Sequence, residues 1–121
     1  MENLIKVGEY IRVNNDNRNC IGIGKVTRIV NESIYVNMNN KYNLPVCFQI
    51  NNIVKHSKII SEVVEAGDYV NGKLIHKIDK GPNYCYLYYG KGKTFVDYQI
   101  KTILTKEQYM ANCYKVGGED E

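Results

Sequence analysis

The chain contains no tryptophan, and it has only two histidines and two phenylalanines. No apolar run approaches the roughly 18–20 residues that cross a bilayer. The start, MENLIKVGEY, lacks the basic-then-apolar layout of a secretory signal. Together these absences predict a cytoplasmic protein. Cys20, Cys47, Cys85 and Cys113 are widely separated, with no C-x-x-C pair and no closely spaced histidine. That spacing argues against a zinc site, and without a secretory setting it argues for free thiols over a disulfide framework. Cys47, Cys85 and Cys113 fall at apolar positions suited to small core residues.

Net charge is also small. The net formal charge is +3, and residues 1–60 carry eight Lys/Arg against four Asp/Glu while residues 61–121 carry eight against nine. Such a mild excess does not by itself make a nucleic-acid footprint.

Catalytic patterns are missing as well. Gly22-Ile23-Gly24-Lys25 invites comparison with a phosphate-binding loop. Such a loop needs a longer glycine-spaced turn ending in Lys-Ser/Thr and leading into a helix, whereas these residues lie between strand-like segments. Their glycines suit a tight bend or bulge. His56, His76 and Cys20 have the right chemistry for a base or nucleophile, but nothing in the sequence orders them into a dyad. No catalytic residue, metal site or cofactor is expected.

What is present is a repeat. QINNIV (49–54) returns as QIKTIL (99–104), and VGEYI (7–11) resembles AGDYV (66–70). The first offset is 50 and the second 59, so the first copy has the longer connection, NNDNRNC (14–20). In the second copy the equivalent link is little more than Asn71-Gly72, a strong hairpin signal because both residues tolerate positive φ. Glu9 and Asp68 occupy equivalent positions, which predicts a turn or strand-entry role for both and no glycosidase-like pair.

The segments that follow alternate. Ile34, Val36 and Met38 share one face against Tyr35 and Asn37, and Cys85 and Leu87 oppose Tyr84, Tyr86 and Tyr88. VCFQI (46–50) and TFVDYQI (94–100) read as fourth strands. After each repeated hexapeptide a helical turn is expected, with capping-box spacing at Thr105 and Gln108. Ile59, Ile60, Val63 and Val64 would then enter a final strand. This order predicts an all-β chain with short helical turns, built as two tandem duplicated SH3-like small β-barrels. The first would span residues 1–65, and the second residues 66–121 with an acidic C-terminal tail. Val63–Val70 is the natural junction, with Ile53 and Ile103 in the two cores.

The pattern G-E-Y-I-R-V (8–13) followed by G-I-G-K-V-T-R-I (22–29) is similar to the opening of Tudor-like and KOW-like small barrels. The segments KHSKIISEVVEAGDYVNG (55–72) and IKTILTKEQYMANCYKVGGEDE (100–121) resemble small proteins from prophages and mobile elements of Clostridium-type bacteria. That resemblance implies a phage accessory protein in a bacterial host cytoplasm. It also implies a host or phage protein as partner, such as a CRISPR-Cas or transcription complex. Inhibition of a defence system, as by anti-CRISPR proteins, is one role within that implied setting.

Eleven tyrosines supply the most informative surface. Tyr84, Tyr86 and Tyr88, with Lys91, Lys93 and the loop residue Arg18, form the expected protein-binding set, since tyrosine is enriched at interfaces. The alternative is nucleic-acid binding by Arg12, Arg18, Lys25, Arg28, Tyr86, Lys91 and Lys93, with bases stacked on rings and phosphates held by cations. A third reading makes the tyrosines cross-strand ladders with no partner.

Overall fold

In the computed structural model, residues 5–15, 20–38, 45–113 and 116 are described. The chain is predominantly β. Strands β1 (Tyr10–Asn15), β2 (Cys20–Val30), β3 (Ser33–Asn37), β4 (Pro45–Phe48) and β5 (Ile53–Ser57) form one antiparallel sheet in the order β4-β3-β2-β1-β5. Alternation drives this sheet: Ile11, Val13, Val26, Ile34, Val36 and Phe48 point to one face and make a single buried cluster. Each such side chain contributes roughly 1.5–3 kcal/mol through burial.

The second half carries its own core of Val64, Val70, Ile75 and Leu87. Strands β6 (Tyr69–Val70), β7 (Lys73–Leu74) and β11 (Ile103–Leu104) form one three-stranded sheet. Strands β8 (Lys77–Gly81), β9 (Tyr84–Gly90) and β10 (Lys93–Phe95) form another. Ile75 and His76 make the corner between β7 and β8. Ile75 N donates to Asp68 O, while His76 N donates to Tyr88 O, so one run of chain leaves the first of these sheets and enters the other.

All three sheets are open, so the expected closed barrels are not formed. The fifth strand of the first half lies earlier than expected: Ile53–Ser57 pairs with β1, and Ile60–Val63 is a 3-10 turn instead of strand. Ser57 causes the break, because its Oγ accepts Ile59 N and donates to Glu62 Oε1 and so turns the chain out of the sheet. The expected fourth strands are shorter too, giving way to 3-10 turns at Ile50–Asn52 and Asp97–Gln99. Helix α1 (Lys106–Asn112) begins as expected, with Thr105 Oγ1 accepting from Gln108 N and Gln108 Oε1 from Thr105 N.

The two copies of the strand-entry turn share their bonds. Gly8 N donates to Val26 O and Val26 N to Glu9 O; likewise Gly67 N donates to Ile75 O and Ile75 N to Asp68 O. Gly8 and Gly67 have φ of 97° and 102°, in the left-handed region that favours glycine. Within each turn the acid accepts a backbone N–H three residues back, Lys6 N to Glu9 Oε1 and Glu65 N to Asp68 Oδ2. The equivalence expected for Glu9 and Asp68 is thus met in detail. The Asn71-Gly72 hairpin is met as well, with φ of 54° and 80°.

Some core assignments change. Cys47 is exposed, because β4 buries Phe48 and turns Cys47 to the other face opposite Tyr35. Cys85 and Cys113 are half-buried, as are Ile53 and Ile103, which pack at the margins of the two cores. Val64 joins the second core, although the expected boundary placed it in the first half.

Candidate binding groove

Arg12 organises the seam between the halves. Between the core residues Ile11 and Val13, it projects from the opposite face of β1 and is 2% exposed. Nη1 donates to Asp68 Oδ2 at 2.6 Å and to Val63 O at 3.0 Å; Nη2 donates to Asp68 Oδ1 at 2.9 Å and to Glu107 Oε1 at 2.8 Å. Glu65 Oε2 lies 3.6 Å from Nε, and Glu65 in turn pairs with Lys55 at 3.3 Å and Lys106 at 2.9 Å. Burial works against the Arg12 charge, but the bonds and charge of Asp68, then Glu107 and Glu65, outweigh it and raise the guanidinium above its ordinary value. Burial likewise works to raise Glu65, yet Lys106, Arg12 and Lys55 hold its carboxyl below the usual range. Arg12 is therefore an internal clamp, which removes it from the expected nucleic-acid surface.

The clamp fixes the Ile60–Val63 turn through Val63 O, and a second bond fixes it from the other side. Ser61 N donates to Asp97 Oδ1 at 3.0 Å, and the Cys85 thiol lies 3.7 Å from Ser61 O. Between this turn, the β8–β9 hairpin and the Asp97–Gln99 turn runs a groove of about 610 Å³. Ile59, Ser61, Glu62, Pro82, Asn83, Tyr84, Cys85, Tyr86, Val96, Asp97 and Tyr98 line it. The volume falls in the range of ligand-binding clefts.

Local geometry places each ring. Tyr84 faces Gly81 across the β8–β9 pair, and a Cβ at Gly81 would overlap the Tyr84 ring, so the glycine makes room for it. Tyr84 and Tyr86, on the same face of β9, stack at 5.4 Å between centroids. Tyr98, at the head of the last wall, is 82% exposed. Glu62 accepts from Ser57 Oγ at 2.6 Å and is met loosely by Lys80 at 3.8 Å. Ser61 is only 1% exposed, and its Oγ has no hydrogen-bond partner among the described residues.

Of the expected protein-binding set, the structure brings Tyr84 and Tyr86 together. Tyr88 is half-buried further along β9, where Lys77 Nζ sits 5.2 Å from its ring centre. Lys91 and Lys93 are exposed at the β9–β10 turn, at the opposite end of β9 from Tyr84. Seven residues of extended chain separate Tyr84 from Lys91, roughly 23 Å. Lys91 and Lys93 therefore do not flank the tyrosine pair; the charged residues lining the groove are Glu62 and Asp97.

Lys25 and Arg28 are exposed on β2, and each covers a tyrosine of its own, Tyr10 at 5.5 Å and Tyr35 at 4.7 Å. Arg18, the Cys20 side chain and the acidic tail lie outside the described residues. His76 is exposed, while His56 lies within β5 with Nδ1 2.7 Å from Glu9 Oε1. Gly22 and Gly24 lie inside β2, and no phosphate loop forms there.

Sequence reasoning did not identify Ser61, Glu62, Asp97 or Tyr98. They sit on two short turns that meet only through folding, so no spacing signal connects them. Among the described residues, no group of three or more His, Cys, Asp or Glu could hold a metal ion, and no helix is long and apolar enough to cross a membrane. Comparison with family models, with curated proteins and with solved structures found no match.

Proposed function

We propose that the chain is a non-enzymatic binding protein derived from two tandem SH3-like units, and that it grips a partner protein at the groove along their seam. The observation that carries this reading is the Tyr84–Tyr86 pair, exposed and stacked over a cleft whose walls come from both halves. Exposed, preordered tyrosine gives large contact area at little entropy cost. The duplicated strand-entry turns and the two separate cores support the tandem origin. The mobile-element resemblance makes a host or phage complex, of the CRISPR-Cas or transcription kind, the first partner class to test. Action by blocking a surface then requires no catalytic group.

Nucleic-acid binding is the weaker reading. Arg12 is clamped inside, Lys25 and Arg28 cover their own tyrosines, and the groove presents carboxylates that repel phosphates.

The test is capture from clostridial host lysate with tagged protein, with and without nuclease, comparing the parent with Tyr86→Ala and with Lys91→Ala/Lys93→Ala. A protein retained after nuclease, lost with Tyr86→Ala and kept by the double lysine variant supports the groove. Capture that vanishes with nuclease, or that depends on the lysines alone, overturns it.

A further inference from the structure

Building on that groove, we infer that its occupant is a segment of the partner protein bearing a lysine or arginine, whose cationic head enters between the Tyr84–Tyr86 rings and the carboxylates of Glu62 and Asp97. Three observations lead there. No lysine or arginine lines the groove, whereas two carboxylates do, so its charge complements a cation. Elsewhere the chain places its own cations over tyrosines, Lys25 on Tyr10, Arg28 on Tyr35 and Lys77 on Tyr88. Among the described residues no cation lies over Tyr84 or Tyr86, so the ring face that their mutual stack leaves uncovered has no cation of the chain's own. Finally, Ser61 in the same wall donates its backbone N–H to Asp97 Oδ1 at 3.0 Å, which holds that carboxylate at the groove.

Lys80 refines the inference. Its ammonium lies 3.8 Å from Glu62 Oε2, and the side chain is exposed. At that distance it is a weak surface pair. An incoming cation would displace Lys80 from Glu62, making this lysine an internal competitor.

Four blocked peptides, acetyl-Ala-Leu-X-Leu-Ala-amide with X as arginine, lysine, norleucine or glutamate, test the inference when titrated into the isotopically labelled full chain and followed by amide chemical shifts. Arginine and lysine peptides should shift Ser61, Tyr84, Tyr86 and Asp97, binding roughly tenfold tighter than norleucine. Glu62→Gln combined with Asp97→Asn should abolish that preference. The amide oxygens still accept from Ser57 Oγ and Ser61 N, so the fold is retained. Lys80→Met should tighten the cationic peptides by about twofold to fivefold, and Lys91→Met should change nothing. Equal binding of lysine and norleucine peptides at the groove would overturn the cation inference while leaving the groove as a binding site. Shifts confined to other surfaces, or none with any peptide, would overturn both.

Discussion

Replacing Arg12 with alanine removes the clamp between the halves, and the structure sets the size of the effect. Asp68 is 0% exposed, and its carboxylate would lose both guanidinium bonds while keeping only the backbone N–H groups of Glu65 and Lys106. Val63 O and Glu107 lose their donors as well. Breaking a buried ion pair from one side costs about 3–5 kcal/mol, because the remaining charge stays buried without its counter-charge. For a chain of 121 residues, an unfolding entropy of about 2.1 cal/mol/K per residue converts that loss into a fall in melting temperature of roughly 12–20 °C.

Thermal unfolding followed by circular dichroism, with urea titration for the free energy, reads the effect directly. Removing both charges in Arg12→Met/Asp68→Asn should cost less than the sum of the single changes, with a coupling of about 1–3 kcal/mol. An Arg12→Ala midpoint within about 3 °C of the parent, or a coupling indistinguishable from zero, would refute the clamp.

Gly24→Ala should lose about 1–3 kcal/mol in urea titration, because a Cβ there would overlap Val36 Cγ1 and lie 2.6 Å from Met38 Sδ and 2.8 Å from Asn37 O. Asn71→Ala should cost about 2–3 kcal/mol and raise amide exchange at Lys101 and Thr102. Its side chain accepts from both of those backbone N–H groups and donates to Gln99 O, and its φ is positive. Glu65, held below its ordinary value, stabilises the fold above the unfolded carboxylate value of about 4.3, and that contribution disappears as pH falls through the lower folded value. Melting-point differences between the parent and Glu65→Gln should therefore be present at pH 6 and shrink steadily towards pH 3.

How far the sequence reached depends on the range of the interactions involved. Positive φ at Asn71 and Gly72 is a local backbone requirement that the Asn-Gly dipeptide exposed directly, while the matching positive φ at Gly8 and Gly67 in the repeated turn came from the structure. The Thr105–Gln108 capping box is local too. Alternation in β3 and β9 gave the correct faces, since a strand has a period of two wherever it runs. Strand ends were less visible: Ser57 ended β5 through bonds to its own neighbours that compete with the ladder, against the β-branched run that follows.

The sequence by itself determined the β class, the duplicated turns and the ring-bearing face of β9, because each depends on bonds between residues near in the chain or on strict alternation. Tertiary structure alone decided the fate of Arg12, which has the composition of a surface cation and the position of a solvent-facing strand residue. Burial came from Asp68 and Glu107, 56 and 95 residues away, whose carboxylates cover it. The groove was decided in the same way, since Ser61 and Asp97 are 36 residues apart and meet only when the Arg12 clamp and the Ser61–Asp97 bond hold the two turns in place.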